Sequence, residues 1–120
     1  MLTLVALAFQ GDGWSGLPRS SPLTSDLTGP VTHVRDGDTI EVAGVAVRIA
    51  NLDCAEPETE EGQAATVRMR ELVAGETIAC ELEGRMSYDR EVATCALAAS
   101  REDLGELLTG ERACKPWRGS

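Results

Sequence analysis

A polar–apolar alternation of period two runs through the first half of the chain. Ile40 and Val42 alternate with Glu41, Ala43-Gly44 makes a hairpin turn, and Val45, Val47 and Ile49 alternate with Ala46, Arg48 and Ala50. This is the period of half-buried strands, not of a helix. The pleat sends Arg48 to the face opposite Val47 and Ile49. A guanidinium there needs water or an anion to point at. Upstream, Val31–Arg35 leads into Asp36-Gly37-Asp38-Thr39, a turn by its Asp-Gly pair.

The pattern then changes. Ala65, Met69, Leu72 and Val73 recur at helical spacing within Gln63–Val73, and Gly75 is a natural stop. Thr77–Leu82 and Val92–Leu97 read as two strands of a hairpin around a long polar connection, Glu83–Arg90. Ser100 with Asp103 makes a capping box before Leu104, Leu107 and Leu108, the stripe of a short helix. Five strands with a helix between the third and fourth is the order of a small Greek-key OB barrel. The expected fold class is therefore mainly β with two short helices.

A chain of 120 residues suffices for one such domain. Its N-terminal part differs from the rest. Leu4–Phe9 is apolar but far too short to span a bilayer. It reads either as the apolar core of a secretory signal, with Ala6-Leu7-Ala8 as cleavage site, or as a tail; no Lys or Arg precedes it. Gly11–Gly29 reads as linker. Residues 1–30 are thus assigned to signal and linker, and 31–120 to the folded domain.

Eleven Lys and Arg against 20 Asp and Glu give a net charge of −9. That excludes a basic coat for nucleic acid, but not a small site holding a phosphate with a few placed cations. With 3% aromatic residues, a surface of many base-stacking rings is excluded too.

Three segments stand out jointly: Asp36-Gly-Asp-Thr39, Arg48 followed by Asp53-Cys-Ala-Glu56, and Tyr88-Asp-Arg90. In this order, around a helix, the stretch from Val31 to Leu108 resembles the thermonuclease (staphylococcal-nuclease-like) family. Gly62-Gln63 and Asp103-Leu104-Gly105 are further family-like marks. Ala55 stands where the family has Pro, and Asp89 where Gly is frequent. Ser87 stands where some members have Lys, and the long final helix of the best-known members is absent.

The resemblance implies calcium-assisted phosphodiester hydrolysis of DNA or RNA by a secreted or periplasmic nuclease. It implies that Asp38, Asp53 and the carbonyl of Cys54 hold the divalent cation. Glu56 would be the general base, Arg48 and Arg90 would grip the scissile phosphate, and Tyr88 would hydrogen-bond a neighbouring phosphate. Elementary chemistry agrees: charge builds on the non-bridging oxygens during attack, and guanidiniums and a divalent cation neutralise it. The named site groups leave a charge of −1, which a divalent cation turns to +1. The partner is then nucleic acid, with no membrane, and the chain acts as a monomer. The alternative is a non-catalytic OB-fold module binding oligonucleotide or a protein partner.

Four cysteines occur: Cys54, Cys80, Cys95 and Cys114. No Cys-x-x-Cys is present and His33 has no spaced partner, which speaks against zinc. In an exported chain an even count points to disulfides. Cys80 and Cys95 lie on the two hairpin strands and form the first expected bridge, leaving Cys54 and Cys114 as the second. The other reading is four reduced thiols.

Overall fold

A computed structural model describes residues 26–117. Strand β1 (Leu27–Asp36) turns into β2 (Thr39–Val42), which Ala43-Gly44 joins to β3 (Val45–Ile49). Both turn residues have positive φ, 50° and 83°, the twist that a two-residue hairpin needs. A two-residue strand β4 (Leu52–Asp53) follows, then helix α1 (Glu60–Val73), β5 (Thr77–Ser87), β6 (Arg90–Leu97), helix α2 (Leu104–Gly110) and a short β7 (Lys115–Pro116).

The five long strands are hydrogen-bonded in the order β1-β2-β3-β6-β5. β1 also pairs with β5, Leu27–Pro30 against Thr77–Cys80, so the sheet closes into a barrel. β3 and β6 run parallel, with Arg48 opposite Val92. Ile40, Val42, Val47, Ile49 and Ile78 fill the interior and are fully buried. Met69 of α1 and Leu104 and Leu108 of α2 extend the same core. Burying each of these side chains stabilises the fold by roughly 1.5–3 kcal/mol.

Several elements differ from the sequence reading. The barrel starts at Leu27, within the stretch read as linker, because Gly29-Pro30 pairs with Thr77-Ile78 despite poor strand propensity. Gly29 lies so close to Ala43 that a Cβ on it would come within 2.9 Å of the Ala43 Cβ. Helix α1 begins at Glu60, because Thr59 caps it by accepting from the Gly62 N–H at 3.0 Å. The connection read as a long loop is mostly strand: β5 runs on to Ser87, with a register shift between Leu82 and Met86, and a tight Tyr88-Asp89 turn. Asp103, not Ser100, caps α2, accepting from the Glu106 N–H at 2.9 Å. The apolar stretch Leu4–Phe9 lies outside the described residues. Among those described, no helix is long and apolar enough to cross a membrane.

Two disulfides staple the fold. Cys80–Cys95 joins directly opposed residues of β5 and β6, and Cys54–Cys114 joins the segment after β4 to the one between α2 and β7. Their separations of 15 and 60 residues correspond to about 3 and about 4 kcal/mol of lost chain entropy in the unfolded state. His33 is an exposed strand residue opposite Glu41.

The helices are also joined by a forked ion pair. Arg68 Nε and Nη2 donate to the two carboxylate oxygens of Glu111 at 2.7 and 2.8 Å. These bonds hold the Glu111 carboxyl below its ordinary value. Because the folded pKa lies below the unfolded one, the stabilisation is complete above the ordinary carboxylate range and disappears as pH falls through the lowered value. Glu111→Gln is therefore expected to lower the thermal midpoint at neutral pH. The two unfolding curves should converge in acid, as followed by circular dichroism across pH.

Candidate functional site

The turn between β1 and β2 gathers most of the residues singled out in sequence. Gly37 lets it press against its neighbours: a Cβ there would stand 2.8 Å from the Ala65 Cβ and 2.9 Å from the Cys54 Sγ. The turn thus lies against both α1 and the Asp53-Cys54 segment. Asp36 Oδ1 accepts from the Asp38 N–H at 3.2 Å, an Asx turn, and the Asp38 carbonyl accepts from the Ile49 N–H at 2.8 Å. The Asp38 carboxyl is largely buried. Burial, then the neighbouring Asp36 carboxyl, push it above its ordinary value, while Arg48 pulls it down.

Thr39 is 1% exposed and lies on the outer wall of the barrel, directly across from Arg48 in the β2–β3 register. Its hydroxyl donates to Asp38 Oδ1 at 3.1 Å and accepts from Arg90 Nη1 at 2.7 Å. Arg48 Nη2 lies 3.7 Å from Asp38 Oδ2, and its Nη1 donates to the Ile49 carbonyl. Arg90 is fixed further by Ser87, whose carbonyl accepts from Nε at 3.1 Å and whose hydroxyl accepts from Nη2 at 2.9 Å. The structure therefore joins Arg90 to Asp38 through Thr39, and Arg48 to Asp38 directly. Each guanidinium has five N–H donors, so both retain spare ones for an anion.

Tyr88 is 93% exposed at a φ of 59°, and the Arg90 guanidinium carbon lies 5.8 Å from its ring centroid. Asp89 faces away from Arg90: its carboxylate lies 3.3 Å from Arg35 Nη1, and Arg35 Nε also binds Glu41 at 3.0 Å. The negative charge beside Arg90 in sequence is thus matched by another cation.

The other candidate residues line a separate cleft of about 690 Å³. Asp53, Cys54 and Glu56 line it together with Arg112, Cys114 and Lys115. Asp38, Arg48 and Arg90 do not line it. Asp53 pairs with Lys115 in the β4–β7 ladder, and the Cys54–Cys114 bridge crosses beside it. The Glu56 side chain is exposed and makes no hydrogen bond or ion pair among the described residues. Its backbone is tied down, accepting from the Thr59 N–H at 3.0 Å and the Thr59 hydroxyl at 2.7 Å.

The donor types, with Asp38 outside the cleft that Asp53 and Cys54 line, are those a hard divalent cation takes. Asp38 and Asp53 offer carboxylates and Cys54 a carbonyl, hard oxygens of the kind calcium takes, and a buried carboxyl with a raised pKa gains from a nearby cation. Among the described residues, no group of three or more His, Cys, Asp or Glu side chains converges on one point. Only two of the expected ligands are such side chains.

Two residues that hold Arg90, and two cations that line the cleft, were not singled out for a role in the sequence. Thr39 was visible only as the last letter of a turn, and Ser87 only as a departure from a pattern. Arg112 and Lys115 carried no sequence signal at all, since their place beside Glu56 is made by a long-range disulfide.

No family model matches the chain. Over 72 residues it is 39% identical to a protein of Escherichia coli O157:H7, and equally to one of Escherichia coli, each named "Uncharacterized endonuclease". The match takes in 57% of this chain and 47% of each relative. The chain thus spans about half the length of the curated relatives it matches.

The seat of Glu56 can be tested by one methyl group. A Cβ on Gly62 would lie 1.8 Å from the Glu56 carbonyl oxygen, whereas one on Gly110 would meet nothing within 4 Å. Gly62→Ala is expected to cost about 1–3 kcal/mol of unfolding free energy. Gly110→Ala should cost none, as measured by denaturant unfolding.

Proposed function

We propose that this chain is a nuclease of the thermonuclease type, hydrolysing phosphodiester bonds in DNA or RNA with the help of calcium. The observation that carries the reading is the joint anchoring of Arg48 and Arg90 on the Asp38-Thr39 turn. Two guanidiniums held on one outer wall of an OB-type barrel, with spare donors, suit a phosphodiester better than a protein partner. The names of the two relatives support the same activity.

In this reading Asp38, Asp53 and the Cys54 carbonyl hold the cation, which when bound supplies positive charge against the developing phosphate charge. Arg48 and Arg90 donate to the non-bridging oxygens, and strengthen as charge builds on them during attack. Thr39 and Ser87 keep Arg90 aimed, so little reorganisation is needed. Glu56, free of protein partners, accepts a proton from the attacking water. Tyr88 offers its exposed hydroxyl to a neighbouring phosphate. Export to an oxidising compartment accords with the two disulfides. Monomeric action remains part of the proposal.

The test is cleavage of single-stranded DNA in calcium, in chelator, and by Glu56→Gln. Chelator is expected to abolish cleavage, and Glu56→Gln to lower kcat by about 10²–10⁴-fold. Undiminished cleavage by the Gln variant would remove Glu56 as base. Because the chain carries −9 overall, salt screens repulsion away from the site as well as attraction within it. KM should therefore change little with added salt, and a steep rise would contradict the proposal.

A further inference from the structure

We propose that Arg112 and Lys115 form a second phosphate-binding position in the cleft beside Glu56, which takes the next phosphodiester along a single-stranded substrate. The inference rests on the nuclease reading and extends it to substrate length.

Most of the described arginines are committed to partners. Arg35, Arg68 and Arg85 are paired with carboxylates, and Arg48 and Arg90 are bound at the Asp38-Thr39 turn. The side chains of Arg112 and Lys115 make no ion pair or hydrogen bond among the described residues. Both are exposed, and both line the cleft that Asp53 and Glu56 also line.

Their backbone is held in place. The Arg112 N–H donates to the Thr109 carbonyl at 3.0 Å, and the Ala113 N–H to the Leu108 carbonyl at 2.9 Å. Lys115 lies in β7 against Asp53, and Cys114 between them is bridged to Cys54. The two cations are therefore fixed relative to the Glu56 loop, not carried on a loose tail. Arg112 also has a φ of 66°, a conformation in which glycine is less strained. A long cation at a glycine-favouring position, lining the same cleft as the exposed Glu56, fits a role for the side chain.

The ligand chemistry follows. Asp53, Glu56 and Glu61 on the same cleft repel a free anion, so these cations do not make a general anion site. A strand already held at one phosphate brings the next one at high effective concentration, and two cations suffice to hold it. A dinucleotide has a single phosphodiester and gains nothing from this position.

The experiment compares binding of a long single-stranded phosphorothioate oligodeoxynucleotide and a phosphorothioate dinucleotide, both in calcium. These keep the charge and resist cleavage. The variants are Arg112→Gly, which relaxes its backbone, Lys115→Gln, and the two together, with thermal midpoints checking the fold. The unsubstituted chain should bind the long strand roughly tenfold more tightly, by about 1.4 kcal/mol. The double variant should lose that advantage. No length preference in the unsubstituted chain would overturn the proposal, as would a preference that survives the double substitution. Failure of the nuclease reading shows differently, as intact unmodified DNA despite length-dependent binding.

Discussion

The hydroxyl of Thr39 links Asp38, its neighbour in the chain, to Arg90, 51 residues beyond it. It donates to Asp38 and accepts from Arg90, while Arg48 faces it across the β2–β3 register. Without that group, Arg90 and Asp38 would share no partner, and the Asp38 carboxyl, already disfavoured by burial, would lose a stabilising donor. A hydroxyl suits the position because it gives and accepts a hydrogen bond at once. The barrel keeps it in place: β2 is hydrogen-bonded on both sides, and Ile40 next to it is fully buried.

A second constraint comes from covalent chemistry. The loop carrying Glu56 has little apolar surface of its own, and its fixity comes from three sources. Thr59 binds its backbone, Gly62 lets helix α1 start against it, and Cys54–Cys114 ties it to the tail. β4 and β7 pair as a small separate sheet beside the bridge. The Trp117 N–H, donating to the Asn51 carbonyl at 3.2 Å, continues this seam. A short chain thereby gains a rigid cleft wall that its small core could not supply alone.

The net charge of −9 fits this economy of cations. Arg35 is shared between Asp89 and Glu41, and Arg68 between Glu111 and Glu71, so neither is drawn to the wall bearing Arg48 and Arg90. Acidity elsewhere on the surface keeps non-specific binding of nucleic acid low. Affinity is then a property of a few placed groups.

How much could be read from the sequence follows from the range of the forces involved. Strands β2 and β3, the Ala43-Gly44 turn, the two helices and the outward side of Arg48 were legible, because each depends on local periodicity or turn chemistry. The cross-strand position of Cys80 and Cys95 followed from the same pattern. Helix starts were misjudged, since Thr59 and Asp103 cap through hydrogen bonds that compete with other nearby Ser, Thr and Asp residues. The strand character of residues 83–87 was hidden by their polarity, because an exposed stretch of β5 buries no alternating face. Barrel closure by β1 and β5, the sharing of Thr39, and the seating of Arg112 and Lys115 beside Glu56 were decided only in three dimensions. Each joins residues dozens of positions apart, and pairing across that distance is set by which buried surfaces fit together. By itself the sequence determined which side chains were available for phosphate chemistry and on which local elements they ride. The tertiary structure decided which of them meet.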